Sequence, residues 1–444
     1  MQGISLIVLR KLADDIVRYC YSTFLYCLFP IVIIRLLARA IQTSAYIERW
    51  YERFGFVPNL TDQITIWLHA VSVGETLAAV PLIRALQEKY PNYRLMVTCM
   101  TPTGSQRIQA EFGDSVDHSY ASYDMPDAVA RFLNRVQPEL LIIMETELWP
   151  NTIAACRRRN IPVILANARL SEKSARGYQK IAPLVKPMLQ SMDAVVAQHK
   201  DDGARFIDLG LPEQALSISG NIKFDLTLDV GMHNQAQQLS QAWHGNSPRP
   251  IWLAASTHRG EDEIILRAHR KIVEELQQPP LLVLVPRHPE RFDAVENLCR
   301  SAGFQVARRS QPELDASSAD ILLGDTMGEL MLFYGACDIA FVGGSLVPNG
   351  GHNMIEPAAW GVPILTGPHL FNFSEVSQLL IRGGGMKVCD SDASLADECL
   401  DLLQNAVQRR TMGDAAQQVA EANRGALSKL LEIVECQLPV NPCS

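Results

Sequence analysis

ITIWLHAVSVGETLAAVPLIRALQEKY, residues 64–90, begins with a mostly apolar run and then changes period. Ile64–Val71 reads as a strand and Thr76–Tyr90 as a helix. A strand without polar alternation is covered on both faces, and a helix that follows it directly is one such cover. The same pairing continues downstream. Arg94–Cys99 and Leu140–Met144 read as strands, and a helix follows from Pro150 to about Arg159. Pro162–Ala166 is again a strand, a long basic helix runs to about residue 190, and Ala194–Ala197 closes the series. This alternation predicts a parallel sheet with helices on both faces.

The pattern breaks over LTLDVGMHNQAQQLSQAWHGNSPR (226–249), which has no strand run and ends in a polar Gly/Pro stretch. A second series follows, with strands at Ile251–Ala255, Leu281–Val285, Ile321–Leu323, Ile339–Val342 and Pro363–Leu365. Helices are expected at Glu261–Glu275, Arg291–Ser301 and Asn353–Ala359, then from about Ser394 to Glu435. The expected class is α/β. Two doubly wound domains, 46–235 and 236–425, precede a tail at 426–444. Ligands of such sheets bind at the carboxyl ends of the strands, here in an interdomain cleft.

Residues 1–45 are of another kind. YCYSTFLYCLFPIVIIRLL (19–37) is strongly apolar but interrupted by Pro30 and Arg35. It approaches the ~20 apolar residues of a membrane span, and no small-x-small cleavage site follows it. The expectation is an uncleaved membrane anchor. Arg35, Arg39, Arg49 and Arg53 make the downstream flank the more basic, which favours a cytoplasmic body. The net charge of -8 over 444 residues argues against a general nucleic-acid binder. The ten cysteines form no C-x₂₋₄-C pair, so structural thiols in a reducing compartment are expected.

Chemistry-bearing residues cluster where strands end. In HAVSVGE (69–75), Gly74 permits a tight turn or close backbone approach, and Glu75 opens a helix. Glu75 is placed to take a proton from a hydroxyl or, more simply, to complement the helix dipole. METELWPN (144–151) offers two acids, Glu145 and Glu147, able to tune one another. GNIKFD (220–225) offers Lys223, a cation for phosphate charge or a partner for Asp225. In the second series, STHRGE (256–261) follows the first strand. PRHPER (286–291) brings Arg287, capable of bidentate phosphate contact. GDTMGE (324–329) could edge a base. VGGS (342–345) and GGHNMIEP (350–357) form a Gly-rich loop leading into a helix, an anion site in which Glu356 could accept ribose hydroxyls. That loop matches neither the dinucleotide nor the P-loop pattern. Eight basic residues and one acid lie between Arg157 and Lys186, either a solvated helix face or a surface for an anionic membrane or acceptor.

In order and spacing, HAVSVGE, METELWPN, GNIKFD, PRHPER, GDTMGEL (324–330) and GGSLVPNGGHNMIEPA (343–358) resemble the 3-deoxy-D-manno-octulosonic acid (Kdo) transferases of lipopolysaccharide assembly, glycosyltransferases of family 30 type. The resemblance implies a GT-B fold, with a carboxy-terminal helix returning to the first domain. It implies transfer of Kdo from CMP-Kdo to the lipid A precursor, with inversion at the anomeric carbon. Glu75 would be the general base, and Glu145 and Lys223 would stabilise the transition state, with Glu147 a rival for Glu145. CMP would be held by Pro286, Arg287, Met327, Gly328, Glu329, Asn353, Met354, Ile355 and Glu356. It further implies no cofactor and attachment to the cytoplasmic face of the inner membrane, while the expected lack of an Asp-x-Asp metal motif accords with metal-independent transfer and the acidic balance with no nucleic-acid partner. A nucleotide-sugar epimerase and a membrane-tethered nucleotide sensor are the competing classes.

Overall fold

The computed structural model describes residues 2–42, 47–60, 63–226, 228–245, 249–311 and 316–438. The expected end of the anchor at residue 45, and linker residues 246–248, lie outside them. The chain forms two compact units. One comprises residues 1–225 and 424–444, the other residues 226–423.

The first unit holds a parallel sheet of β1 (Thr65–His69), β2 (Arg94–Cys99), β3 (Asp117–Tyr120), β4 (Pro138–Met144), β5 (Val163–Ala168), β6 (Ala194–Ala197) and β7 (Leu216–Ile218). Their order is β3-β2-β1-β4-β5-β6-β7. β1 is buried at every position, as its unbroken apolar character requires. One face of the sheet packs Trp67, Phe132 and Ile143, and the other packs Ile66, Leu82 and Ile142. The expected long basic helix is two helices, Glu172–Gln179 and Ala182–Leu189. Pro183 is the cause. It has no N–H for a continuing helix, and its ring would strike the carbonyl of Gln179, so it starts a new helix instead.

Helix Ala426–Gln437 belongs to this first unit. Its Ala426, Leu430 and Val434 share a core with Ala78, Leu82 and Ile222. Its amino end is held from a distance, because the Asp225 carboxylate accepts from the N–H of Gly425 at 2.6 Å and of Leu427 at 2.7 Å. Asp225 thereby fills the place of a capping side chain that Gly425 lacks.

The second unit repeats the plan. Its strands are β8 (Ile251–Thr257), β9 (Leu281–Pro286), β10 (Val306–Arg308), β11 (Ile321–Leu323), β12 (Ile339–Val342), β13 (Ile364–Thr366) and β14 (Met386–Val388), ordered β10-β11-β9-β8-β12-β13-β14. Helix Val230–His244 lies within this unit, packing Trp243 on Phe333. The strandless segment from 226 is therefore an element of the second unit, and the expected division at 235 would cut it. In both sheets the winding reverses beside the central strand, at β1/β4 and at β8/β12. Crevices form at the carboxyl ends of such strand pairs.

Candidate functional site

At the β1/β4 reversal, Glu75 sits in the first turn of helix Val73–Lys89, whose amino end Ser72 caps. The Glu75 carboxylate accepts from the Val71 N–H at 2.7 Å and from the Ser72 hydroxyl at 2.8 Å. Burial pushes its pKa up to about 7. The Ser72 and Val71 hydrogen bonds pull it down, while the charges of Glu147 and Glu145 push it up. A carboxyl poised there can accept a proton near neutral pH. Gly74 is an ordinary helical residue. Only Ser72 Oγ, at 3.8 Å, comes near where its Cβ would be, so the space in front of the turn is open to a ligand.

The residues after β4 lie beside Glu75. Glu145 has φ 56°, a left-handed conformation that a non-glycine residue rarely adopts, while its N–H still donates to Ala166 O. Its carboxylate pairs with Lys223 Nζ at 3.2 Å. Glu147 accepts instead from Trp149 Nε1 at 2.9 Å, which gives the two acids different partners. Trp149 stands edge-on to His69 with centroids 4.7 Å apart, and burial lowers the His69 pKa to about 4, so that ring is neutral.

Lys223 is set by a polar chain. Asn167, at φ 51°, accepts from the Ile222 N–H at 3.1 Å. Gln198 donates to Asn167 O and accepts from Asn221 Nδ2, and Asn221 Oδ1 caps the Lys223 N–H. Asp225 is occupied with the helix at 426, so the Lys223–Asp225 pairing is not formed. Asn167 and Gln198 carried no signal in the sequence, lying within or beside apolar strands.

At the β8/β12 reversal the first part of the Gly-rich loop, residues 344–346, is not a vacant anion cradle. The fully buried Glu261 carboxylate accepts from the N–H groups of His258 (2.9 Å), Gly344 (2.7 Å), Ser345 (2.9 Å) and Leu346 (2.9 Å). The donors of residues 344–346 are thus satisfied from within. Gly343 is needed for this approach, since a Cβ there would lie 2.7 Å from Ser256 O.

What remains open is a cluster of side chains beyond the loop. His258 Nε2 and His352 Nε2 are 2.8 Å apart in a near-parallel stack, and His288 stands edge-on to His258. Burial, then the charge of Arg287, lowers the His352 pKa to about 4. The exposed Arg287 finds no carboxylate within ion-pair distance among the described residues. Glu356 accepts from Asn353 Nδ2 at 3.1 Å. Burial raises its pKa, while Asn353 and the charge of Arg287 pull it down. The structure therefore gathers Arg287, Asn353 and Glu356 with three histidines. These histidines lie inside STHRGE, PRHPER and GGHNMIEP, where spacing alone assigns them no role. Pro286 ends β9, and Met354 and Ile355 are fully buried, with Ile355 N–H already donated to Asn353 Oδ1.

Glu329 is already engaged by Arg309 at 2.8 Å and by the Thr326 hydroxyl. With Arg309 and Leu239 it lines a cavity of about 360 Å³. Met327 and Gly328 are neighbours at this turn. Met327 is exposed, and Gly328 has φ 84° with nothing near its missing Cβ. Arg291 is structural, bonding Thr257 O and Asp262. One Asp-x-Asp triplet, Asp390-Ser391-Asp392, does occur, contrary to the expectation of none. It opens helix Asp392–Gln404, with Ser391 as cap, Asp390 accepting from Ser391 and Ser394, and Asp392 paired with Arg267 at 2.8 Å.

Residues 48–226 match the family model described as 3-deoxy-D-manno-octulosonic-acid transferase (kdotransferase). The chain is 44% identical to the 3-deoxy-D-manno-octulosonic acid transferase of Haemophilus influenzae, over 96% of this chain and 99% of that one. It is 37% identical to the Bordetella pertussis transferase of the same name, over 83% and 86%. Among solved structures, Acinetobacter baumannii MurG aligns with a TM-score of 0.54 at 12% identity, over 84% of this chain and 99% of that one, a likeness of fold alone. Two seven-stranded Rossmann-like units make this a GT-B fold. With its sequence kinship covering both units, the chain belongs to the 3-deoxy-D-manno-octulosonic acid transferase family of glycosyltransferases.

Proposed function

We propose that the chain transfers Kdo from CMP-Kdo to a sugar hydroxyl of the lipid A precursor, lipid IVA, with inversion, in lipopolysaccharide assembly on the cytoplasmic face of the inner membrane. The carrying observation is Glu75, a carboxyl at about 7 beside the Glu145–Lys223 pair. Glu75 takes the proton from the acceptor hydroxyl. That oxygen attacks the anomeric carbon as the bond from this carbon to the CMP phosphate oxygen breaks. CMP departs with the bonding pair, and the single displacement inverts the centre.

Lys223, oriented by Glu145, balances negative charge that develops in the transition state. Arg287 takes the donor phosphate and Glu356 the ribose hydroxyls, with Asn353 holding the Glu356 carboxylate in place. Pro286, Met327, Gly328 and Glu329 edge the nucleotide, and Met354 and Ile355 serve by backbone position only. Catalysis uses no metal, and EDTA should leave the rate unchanged. Apolar residues Asp15–Ala40 attach the enzyme to the membrane. The test is mass spectrometry of the product from purified enzyme, CMP-Kdo and tetraacyl lipid IVA. A mass gain of one or more Kdo units is expected, with the anomeric configuration read by NMR. Folded enzyme that yields no adduct would overturn the reading.

A further inference from the structure

The first helix, Gln2–Gln42, contains a stretch, Asp15–Ala40, long and apolar enough to cross a bilayer. Its contacts with the folded body argue against crossing. Ser22 Oγ donates to Asn151 Oδ1 at 3.1 Å, and Ser22 is buried. Tyr21 donates to Asp124 Oδ2 at 3.1 Å, and Tyr26 to Asp127. Further along, the Phe29 ring meets Phe54 at 5.7 Å. Burial follows a helical stripe through Arg18, Ser22, Leu25, Phe29 and Leu36, so one face lies along the first unit for most of the apolar stretch.

Arg18 to Phe29 spans about 17 Å of axis at 1.5 Å per residue. About 20 Å of helix remains beyond it and about 24 Å before it, against a hydrocarbon core of ~30 Å, and the part before it carries Arg10, Lys11, Asp14 and Asp15. A docked helix that also spanned would carry Asp124, Asp127 and the paired Arg131 to hydrocarbon depth, where charged side chains are strongly disfavoured. The opposite face exposes Ile16, Tyr19, Phe24, Ile31, Ile34 and Leu37. Helix Ala182–Leu189 packs beside it, and exposed Lys173, Arg176, Lys180 and Lys186 lie on that helix, the one before it and the turn between them. Apolar and aromatic side chains bordered by cations fit the headgroup–acyl boundary of an anionic bilayer.

We propose that this helix lies in the plane of the membrane as an interfacial element fixed to the body, and does not span it. The inference rests on the membrane attachment proposed above. It adds a mechanical link. Asp124, which receives Tyr21, also accepts from the N–H groups of Asn151 (3.0 Å) and Thr152 (2.7 Å) and so caps the helix that follows the Glu145–Trp149 loop. The membrane-bound surface is thereby tied to the segment that presents Glu145.

The test uses the full chain with an amino-terminal epitope, bound to sealed inverted inner-membrane vesicles. An in-plane helix leaves epitope and body on the same outer face, and added protease removes both. Protection of the epitope while the body is digested would overturn the proposal. Failure of the protein to sediment with vesicles would overturn the attachment itself, a distinct outcome. As a second measurement, a Ser22→Cys/Asn151→Cys pair should form a mapped disulfide in vesicle-bound enzyme. A pair that cross-links in detergent but not on vesicles would show the helix leaving the body to span, and would also overturn it.

Discussion

Lys223 Nζ lies 3.2 Å from Glu145 Oε1, although 78 residues separate them in the chain. Glu145 holds a left-handed backbone to make the contact, and such an outlier at a strand end points to function. Lys223→Met should therefore lower kcat by about 10²–10³-fold, the usual cost of removing one preorganised charge-stabilising group. Steady-state kinetics on a variant with an unchanged circular dichroism spectrum checks this. Near-normal kcat would reduce the pair to a structural role.

Glu75 links activity to stability through its proton. Its folded value of about 7 exceeds its ordinary 4.5. Between these values the folded protein keeps a proton that the unfolded chain has released, so the Glu75 contribution to stability falls as pH rises through the window. Below pH 4.5 both states are neutral there and no cost arises. Glu75→Gln should match the parent at pH 4 and exceed it by about 1–3 kcal/mol at pH 8, while losing transfer activity. Urea unfolding at the two pH values reads the difference, and the parent should show an acid limb in kcat/KM near pH 7.

Glu261 takes up the N–H groups of Gly344, Ser345 and Leu346. Glu261→Gln places an NH₂ group against donors that now meet a carboxylate oxygen. A loss of about 2–4 kcal/mol is expected, as charged hydrogen bonds give way to buried unsatisfied donors. Thermal unfolding measures it, and an unchanged Tm would mean that the loop does not depend on the carboxylate.

Arg287 and Glu356 should each matter for nucleotide binding. Arg287→Ala and Glu356→Ala should weaken CMP by about 1.5–3 kcal/mol apiece by calorimetric titration. Arg287→Lys should recover only part of the loss, because an ammonium cannot reproduce the guanidinium fork. An unaltered isotherm for either variant would move the phosphate or ribose contact elsewhere.

The central strands were legible because burial on both faces writes itself as unbroken apolar runs. β3, β7, β10 and β14 were not, and they are the four edges of the two sheets. Each has three or four residues and one strand partner, and each is only partly buried, so DHSY at 117–120 or LSI at 216–218 carries no continuous apolar run. Glu75, Glu145 and Lys223 could be singled out because they follow strands in recognisable motifs. What placed them could not be read. Asn167 and Gln198 look like polar interruptions until the loops fold over them. Glu261 is hidden in the same way, since a glycine loop in sequence shows free donors and only the fold shows the carboxylate that takes those of residues 344–346.

The clasp of Asp225 on Gly425 and Leu427 has a consequence for engineering. The chain departs for residues 226–423 and comes back through a single doorway, its two strands of traffic pinned side by side. The intervening stretch is therefore a guest with adjoining termini, a cassette inserted into a host that closes behind it. Such a cassette can be exchanged at its two seams without breaking the sheet on either side.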